Sequence, residues 1–152
     1  MNLQIIKDRL AEIQENVRIL KKLQKRKKDK FCSTPELYKL AERCLQLAIE
    51  CVIDIANYLI SQHGWTRPLY HAEGLLILAQ HRIFPASFAR KIAGMVDFRN
   101  ILVHRYLQID RGIVYDNLRG LSDFDEFEKY LLKYLAREEK VSKKPSNRNK
   151  ST

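Results

Sequence analysis

The stretch between Ser33 and Gly64 constrains the fold most, because it predicts one long helix that is apolar on more than one side. Ser33 is a suitable N-cap, Glu36 can close a capping box with it, and Pro35 suits the first turn. Gly64 is the residue type at which helices commonly end. A helix that is apolar nearly all round has to be covered by other elements. We therefore expect it to be the most buried helix, through these apolar positions: Leu37, Leu40, Ala41, Cys44, Leu45, Ala48, Cys51, Val52, Ile55, Ala56 and Leu59.

Four further segments carry a helical pattern, and no segment carries a convincing strand pattern. Near the N-terminus, apolar residues recur at spacings of four and three up to the basic run at 21–30. Residues 69–82 follow a proline, residues 85–104 begin with one, and a last helix begins at Ser122. The sequence thus predicts an all-α, up-and-down bundle of four to five helices.

The length of the chain fits a single domain. A chain of 152 residues with 45% apolar content can bury one sizeable core. We expect a helical domain over residues 1–137 and a basic, disordered tail over residues 138–152. Residues 30–32 are expected to form a loop, and a loop with a short turn is expected around residues 110–115.

The net charge of +10 is concentrated in two places. Residues 21–30 hold seven Lys or Arg against one Asp, and residues 137–152 hold six against two acidic residues. Such patches can bind a polyanion such as RNA. A charge run is more often a solvated helix end or a tail, and that interpretation is favoured here.

The sequence gives an expectation for the cellular compartment and for the state of the three cysteines. No run of about eighteen apolar residues occurs, and the first ten residues lack the pattern of a signal peptide. A cytoplasmic protein without a membrane segment is therefore expected. Cys32, Cys44 and Cys51 are too few and odd in number for a disulfide framework, so buried free thiols are expected.

The segment DFRNILVHRY, residues 97–106, places Arg99, Asn100, His104 and Tyr106 around an apolar run. Cleavage of RNA without a metal needs a group that exchanges protons near neutral pH and a fixed positive charge at the phosphorane. His104 and Arg99 are the residue types that supply them. On a straight helix, residues five apart lie roughly 140° apart around the axis, so these two side chains of one chain would not converge.

Two arrangements would bring these side chains together. The helix could unwind near Val103, or a two-fold axis could set two copies face to face and pool their side chains in one groove. The second is preferred and implies a homodimer, with Asn100 orienting the imidazole or the phosphate. The competing interpretation, which composition alone favours, is that Arg99 and His104 are ordinary cations at a helix end. Tyr106 is either a packing aromatic, or a nucleophile or modification target.

The segment FRNILVHRY resembles the Arg-x4-His-x-Tyr signature of HepT-like ribonuclease toxins, a branch of the HEPN superfamily. The segment AERCLQLAIECVIDIANYLI, residues 41–60, resembles the long second helix of that family, and LSDFDEFEKYLLKYL resembles its terminal helix. A short Arg-x4-His motif is a weak match by itself. The match to the family becomes specific because Asn100, Tyr106 and the resemblance of the second helix accompany it. With the order of the helices, the resemblance covers residues 1–137.

The resemblance implies a helical homodimer with a composite active site, acting as a metal-independent endoribonuclease and as the toxin of a type VII-like toxin–antitoxin system. It implies that Arg99 and His104 are the catalytic pair, that Asn100 supports them, and that no cofactor is needed. It also implies a minimal nucleotidyltransferase antitoxin that transfers AMP from ATP to the motif tyrosine, here Tyr106. A bulky anionic adduct two residues after His104 would block the groove and repel RNA.

A second function stays open from the sequence, namely a non-catalytic module that holds a nucleotide or docks a nucleotidyltransferase partner. A polar ridge of Glu50, Asp54 and Asn57 runs along the long helix, and no Glu-x-x-His motif accompanies it. We expect this ridge to be a solvated or interface face, or to contact the motif helix. No metal site is expected, because no histidine pair is spaced four apart; the other histidines are His63, His71 and His81.

Overall fold

The computed structural model describes residues 1–143, apart from the side chains of Tyr106 and Lys143, and this range holds helices and turns but no strand. The all-α prediction is confirmed. The five long helices are the predicted ones, whereas α2 and α6 are short helices where loops were predicted. The helices are α1 (Leu3–Gln24), α2 (Lys28–Ser33), α3 (Pro35–His63), α4 (His71–Gln80), α5 (Ala86–His104), α6 (Arg111–Asn117) and α7 (Ser122–Lys143).

The ends of α3 lie where the sequence predicts them, although one capping detail was wrong. Pro35 is its first residue. Gly64 follows its last residue with a φ of 65°, a left-handed conformation that glycine adopts without strain. The capping box does not form, because Ser33 is the last residue of α2 and its hydroxyl donates to the carbonyl oxygen of Asp29 at 2.9 Å. Thr34 takes the N-cap position instead.

The centre of the bundle is α3, as predicted. Twelve of its residues are buried, including nine of the eleven predicted apolar positions, whereas Leu37 is half-buried and Leu40 is exposed. α1 packs along it, α4 and α5 pack against it and against each other, and α7 packs against α1. The core also takes three fully buried phenylalanines, Phe31 from α2 and Phe124 and Phe127 from α7. Each such side chain stabilises the fold by about 1.5–3 kcal/mol relative to an exposed one.

The last helix continues past the predicted domain boundary. α7 extends to Lys143, so residues 138–143 of the predicted tail are helical, and residues 144–152 lie outside the described part of the chain. The charged residues in this last stretch are compatible with an exposed helix. Lys7 of α1 also pairs with Glu139 at 2.7 Å, which ties this stretch to the bundle.

The basic run at 21–30 is part of the fold. Lys21 pairs with Asp125 at 3.0 Å, and Lys28 pairs with Asp116 at 3.0 Å. The Tyr115 hydroxyl donates to the carbonyl oxygen of Arg26 at 2.6 Å. The run therefore connects α1 and α2 to α6 and α7, which agrees with the favoured interpretation of a helix end.

α3 is long and apolar enough, by length and composition alone, to cross a membrane. The most apolar window of this helix is 61% buried inside the bundle, however, and the core helix of a bundle passes the same test. Its cysteines Cys44 and Cys51 are buried free thiols, as predicted, and Cys32 is a half-buried free thiol.

Candidate functional site

The motif lies in the C-terminal half of α5. Buried apolar residues along one face fix this helix against α3 and α4. The helix stays regular through its last residue, His104, and Arg105 is the C-cap, so the unwinding near Val103 that the sequence left open is not found. Arg99 and His104 therefore keep the separation of roughly 140° that a regular helix imposes. The single chain does not bring these two side chains together.

Arg99 points toward α3, where its guanidinium contacts Glu50. Nη2 donates to Oε1 of Glu50 at 3.2 Å, and Nη1 donates to Oδ1 of Asn100 at 3.4 Å. The side chains of Arg99 and Glu50 are 21% and 32% exposed, so the ion pair is only partly open to solvent. Nε of Arg99 is buried and has no hydrogen-bond partner among the described residues. The guanidinium is thus oriented by Glu50, while its other Nη hydrogens can still bind phosphate oxygens.

Glu50 is a member of the polar ridge on α3. Its Oε1 also accepts a hydrogen bond from Nε2 of Gln46 at 3.0 Å. Asp54, one turn further along, pairs with Arg9 of α1 at 3.3 Å instead. The contact between the ridge and the motif helix therefore exists and is made by Glu50. Glu50 was not among the predicted site residues, and its place on the polar ridge was the only signal for it in the sequence.

His104 is exposed at the C-terminal end of α5, where the helix dipole favours a cation. It lines a depression of about 180 Å³ together with Arg105 and Leu107. Tyr106 begins a short 3-10 turn, Tyr106–Gln108, but its side chain lies outside the described part of the structure. Its role as a modification target stays a prediction.

Asn100 contributes to two features at once. It accepts the hydrogen bond from Arg99, and it lines a cleft of about 840 Å³ between α3 and the segment 64–71. Asn57, the third member of the polar ridge, lines the same cleft. The ridge and the motif helix therefore meet along this edge of the bundle.

The remaining histidines take part in packing or lie on the surface. Nε2 of His63 and the hydroxyl of Tyr134 are hydrogen-bonded at 2.7 Å. Trp65 lies between the rings of His63 and His81, with centroids at 4.4 Å and 3.7 Å. Within residues 1–143, no group of three or more His, Cys, Asp or Glu is placed to hold a metal ion.

Sequence comparisons give a family and two curated relatives. The family described as Ribonuclease HepT-like matches residues 13–133. A tRNA nuclease HepT from Aphanizomenon flos-aquae is 32% identical over 111 residues, which are 73% of this chain and 76% of that protein. An mRNA nuclease HepT from Shewanella oneidensis is 32% identical over 84 residues, which are 55% of this chain and 63% of that protein.

Structure comparisons give the same picture of the fold. The tri-AMPylated HEPN toxin of Shewanella oneidensis, solved in complex with MNT antitoxin, has a TM-score of 0.76 and 26% identity, covering 86% of this chain and 98% of that one. The cytosolic protein YutE of Bacillus subtilis, of unknown function, has a TM-score of 0.78 at 19% identity, covering 91% and 93%. The second likeness concerns the fold alone.

Proposed function

The chain belongs to the HepT-like ribonuclease family, and we propose that it is a metal-independent endoribonuclease acting as the toxin of a type VII-like toxin–antitoxin pair. The family match over residues 13–133 includes the whole motif. The observation that carries the proposal is the placement of Arg99, which Glu50 orients on the helix that ends in an exposed His104. One side chain supplies a fixed positive charge, and the other supplies an imidazole that can take or give a proton.

The reaction is a transesterification within the RNA. The 2′-hydroxyl oxygen attacks the adjacent phosphorus, and the bond from that phosphorus to the 5′-oxygen of the next nucleotide breaks. The imidazole of His104 takes the proton of the 2′-hydroxyl, and the imidazolium that forms gives a proton to the leaving 5′-oxygen. Arg99 donates hydrogen bonds to the non-bridging oxygens as their negative charge increases. The products are a 2′,3′-cyclic phosphate and a 5′-hydroxyl.

The active site needs two copies of the chain. Because α5 is regular through His104, Arg99 of one copy meets a motif histidine only when that histidine comes from a second copy across a two-fold axis. Two apolar side chains beside the motif support this arrangement, since Ile101 is 40% and Leu107 is 85% exposed. Asn100 supports the site by accepting a hydrogen bond from Arg99.

A minimal nucleotidyltransferase antitoxin neutralises the toxin at Tyr106. The phenol oxygen attacks the α-phosphorus of ATP, pyrophosphate leaves, and the tyrosine carries AMP. Tyr106 follows His104 by two residues, so the added phosphate puts negative charge where the RNA backbone would bind. The likeness to a tri-AMPylated toxin supports this step. The proposal places the protein in the cytoplasm, where RNA, ATP and the antitoxin are available to it.

The test is cleavage of end-labelled RNA in the presence of EDTA, with the wild-type protein beside His104→Ala. The wild type is expected to cut and to leave 2′,3′-cyclic phosphate ends, and His104→Ala is expected to be inactive with unchanged helix content by circular dichroism. Cleavage by His104→Ala at the wild-type rate would remove His104 from the reaction. If neither protein cuts, and mass spectrometry excludes AMP on Tyr106, the chain is a non-catalytic binding module.

A further inference from the structure

The cleft beside the motif combines flat rings, amide groups and a cation. It lies between the C-terminal part of α3 and the segment 64–71, and its volume is about 840 Å³. The rings that line it belong to Trp65, Tyr70 and His71, and the amides belong to Asn57 and Asn100. Sites that bind single-stranded RNA commonly contain aromatic rings on which bases stack and amide groups that hydrogen-bond to base edges.

The rings in this cleft differ in how free they are. Trp65 is half-buried and both of its faces are covered, because it stacks between His63 and His81 with interplanar angles of 11° and 4°. Tyr70 is 59% exposed, and none of the ring–ring contacts within residues 1–143 involves it. Trp65 is thus a rigid wall, and Tyr70 is the ring available to stack on a base.

The charge of the cleft suits an RNA strand. Arg67 lines it and is exposed, and the described part of the structure shows no carboxylate paired with this guanidinium. No described Asp or Glu side chain lines the cleft either. An exposed arginine beside a stacking ring can bind the phosphate that follows the stacked base. Glu73 does not line the cleft, but its Oε2 accepts the backbone N–H of Leu69, a lining residue, at 3.0 Å, so one carboxylate lies next to it.

The cleft is continuous with the proposed active site. Asn100 lines it and also accepts a hydrogen bond from Arg99 at 3.4 Å. On α3, Asn57 follows Glu50 by seven residues, so it lies on the same side of the helix about 10 Å further along the axis. Asn100 therefore links Arg99 to the wall of the cleft that Tyr70 also lines.

We propose that this cleft is a base-binding subsite of the nuclease, in which a nucleotide next to the scissile phosphate stacks on Tyr70 and places its phosphate on Arg67. The ligand is single-stranded RNA, because a duplex hides the ring faces that Tyr70 would contact. The subsite rests on the proposed ribonuclease function, since it positions the strand that Arg99 and His104 act on. The subsite also influences where the RNA is cut, because a base that is paired or missing cannot stack on Tyr70.

The test measures binding separately from cleavage. The full chain carrying His104→Ala, which cannot consume the probe, is titrated into a fluorescein-labelled, unstructured 12-nucleotide RNA and followed by anisotropy. Adding Tyr70→Ala should weaken binding by about five- to a hundredfold, which corresponds to one stacked base. Tyr70→Phe keeps the ring and should stay within about twofold of its parent. On the same oligonucleotide made without bases, Tyr70→Ala and its parent should bind alike.

Arg67→Ala gives an independent reading with a matched control. It should weaken binding and reduce the dependence of log affinity on log salt by about one phosphate contact. The control is Arg90→Ala, an exposed arginine in the first half of α5 that does not line this cleft, and it should leave both quantities unchanged. With the wild-type histidine restored, Tyr70→Ala should also redistribute the cutting positions along the RNA.

The outcomes separate this subsite from the proposed function. Unchanged RNA affinity in Tyr70→Ala would overturn the subsite, even if the wild type cuts RNA. Binding that depends on Tyr70 in a protein that never cuts RNA would overturn the nuclease and leave a base-binding cleft. If Tyr70→Ala and Arg67→Ala instead dissociate a dimer in sedimentation, or abolish capture of the nucleotidyltransferase alone, the cleft is a protein interface and the RNA proposal is wrong.

Discussion

Replacing Glu50 by glutamine should reduce RNA cleavage without unfolding the protein. Oε1 of Glu50 accepts the only described hydrogen bond that orients the Arg99 guanidinium from another helix. The substitution keeps the shape of the side chain and an oxygen that can accept a hydrogen bond, but it removes the negative charge, so the Arg99 guanidinium is held less firmly. Glu50 acts through Arg99 and is a positioning residue.

The size of the effect follows from the ion pair. A hydrogen bond to a charged group is worth about 1.5–3 kcal/mol when it is well shielded. With the two side chains 21% and 32% exposed, we expect solvent screening to reduce this to about 1–2 kcal/mol. If the loss appears in the transition state, kcat/KM should fall by about five- to thirtyfold. The free energy of unfolding should fall by no more than about the same 1–2 kcal/mol, which leaves a domain of ordinary stability folded.

The assay is the initial rate of cleavage of a fluorescent RNA, with urea unfolding measured on the same preparations. Asp54→Asn is the matched control, because Asp54 lies one turn along the same helix and pairs with Arg9 rather than with Arg99. It should stay within about twofold of wild type, as expected for an exposed ion pair. In an Arg99→Ala background, adding Glu50→Gln should cause no further loss, since the two residues would act as one unit.

Three results would refute this reasoning. Glu50→Gln could cleave as fast as the wild type, which would mean that Arg99 needs no orientation by α3. It could cleave faster, which would mean that Glu50 sequesters the arginine. An equal loss in Glu50→Gln and Asp54→Asn would point to a general effect of charge on RNA binding.

Two further predictions test the packing around α3. Burial raises the pKa of the Cys51 thiol to about 11. N-ethylmaleimide at pH 8 should therefore modify the half-buried Cys32 before Cys51, as measured by peptide mass spectrometry. Equal rates of modification at the two cysteines would contradict a central position of α3. Tyr134→Phe removes a hydrogen bond to His63 and should lower the free energy of unfolding by about 1 kcal/mol, measured in urea by the fluorescence of the single tryptophan, Trp65. Burial raises the pKa of Tyr134 from 10.0 to about 12, so this difference should be present below pH 10 and disappear as the pH rises toward 12; a difference independent of pH would contradict it.

Much of the fold could be predicted because its long helices carry their own signals. Pro35 and Gly64 mark the ends of α3, and its all-round apolar pattern predicts its central position. The short helices were missed because six or seven residues hold too few turns for a periodic pattern. The misplaced cap of α3 has the same cause, since Ser33 belongs to the short helix before it.

The site was predictable only as a set of residue types. The motif names Arg99 and His104, and helix geometry shows that one chain cannot bring them together. The partner of Arg99 could not be found in the same way, because Glu50 and Asp54 look alike in sequence and only the packing of α5 on α3 decides which one meets the arginine. The cleft at Tyr70 likewise depends on how the segment 64–71 folds back beside α5.

The most direct test of the proposed composite site is complementation between two inactive variants. Arg99→Ala and His104→Ala are purified separately, mixed, allowed to exchange subunits, and assayed on RNA in EDTA, with mixed dimers counted by native mass spectrometry. With full exchange, about half of the dimers are mixed and each has one intact site, so the mixture should regain about a quarter of the wild-type activity. Mixing Arg99→Ala with the doubly substituted protein should restore nothing. Abundant mixed dimers without cleavage, or a wild-type monomer that cleaves, would contradict the account.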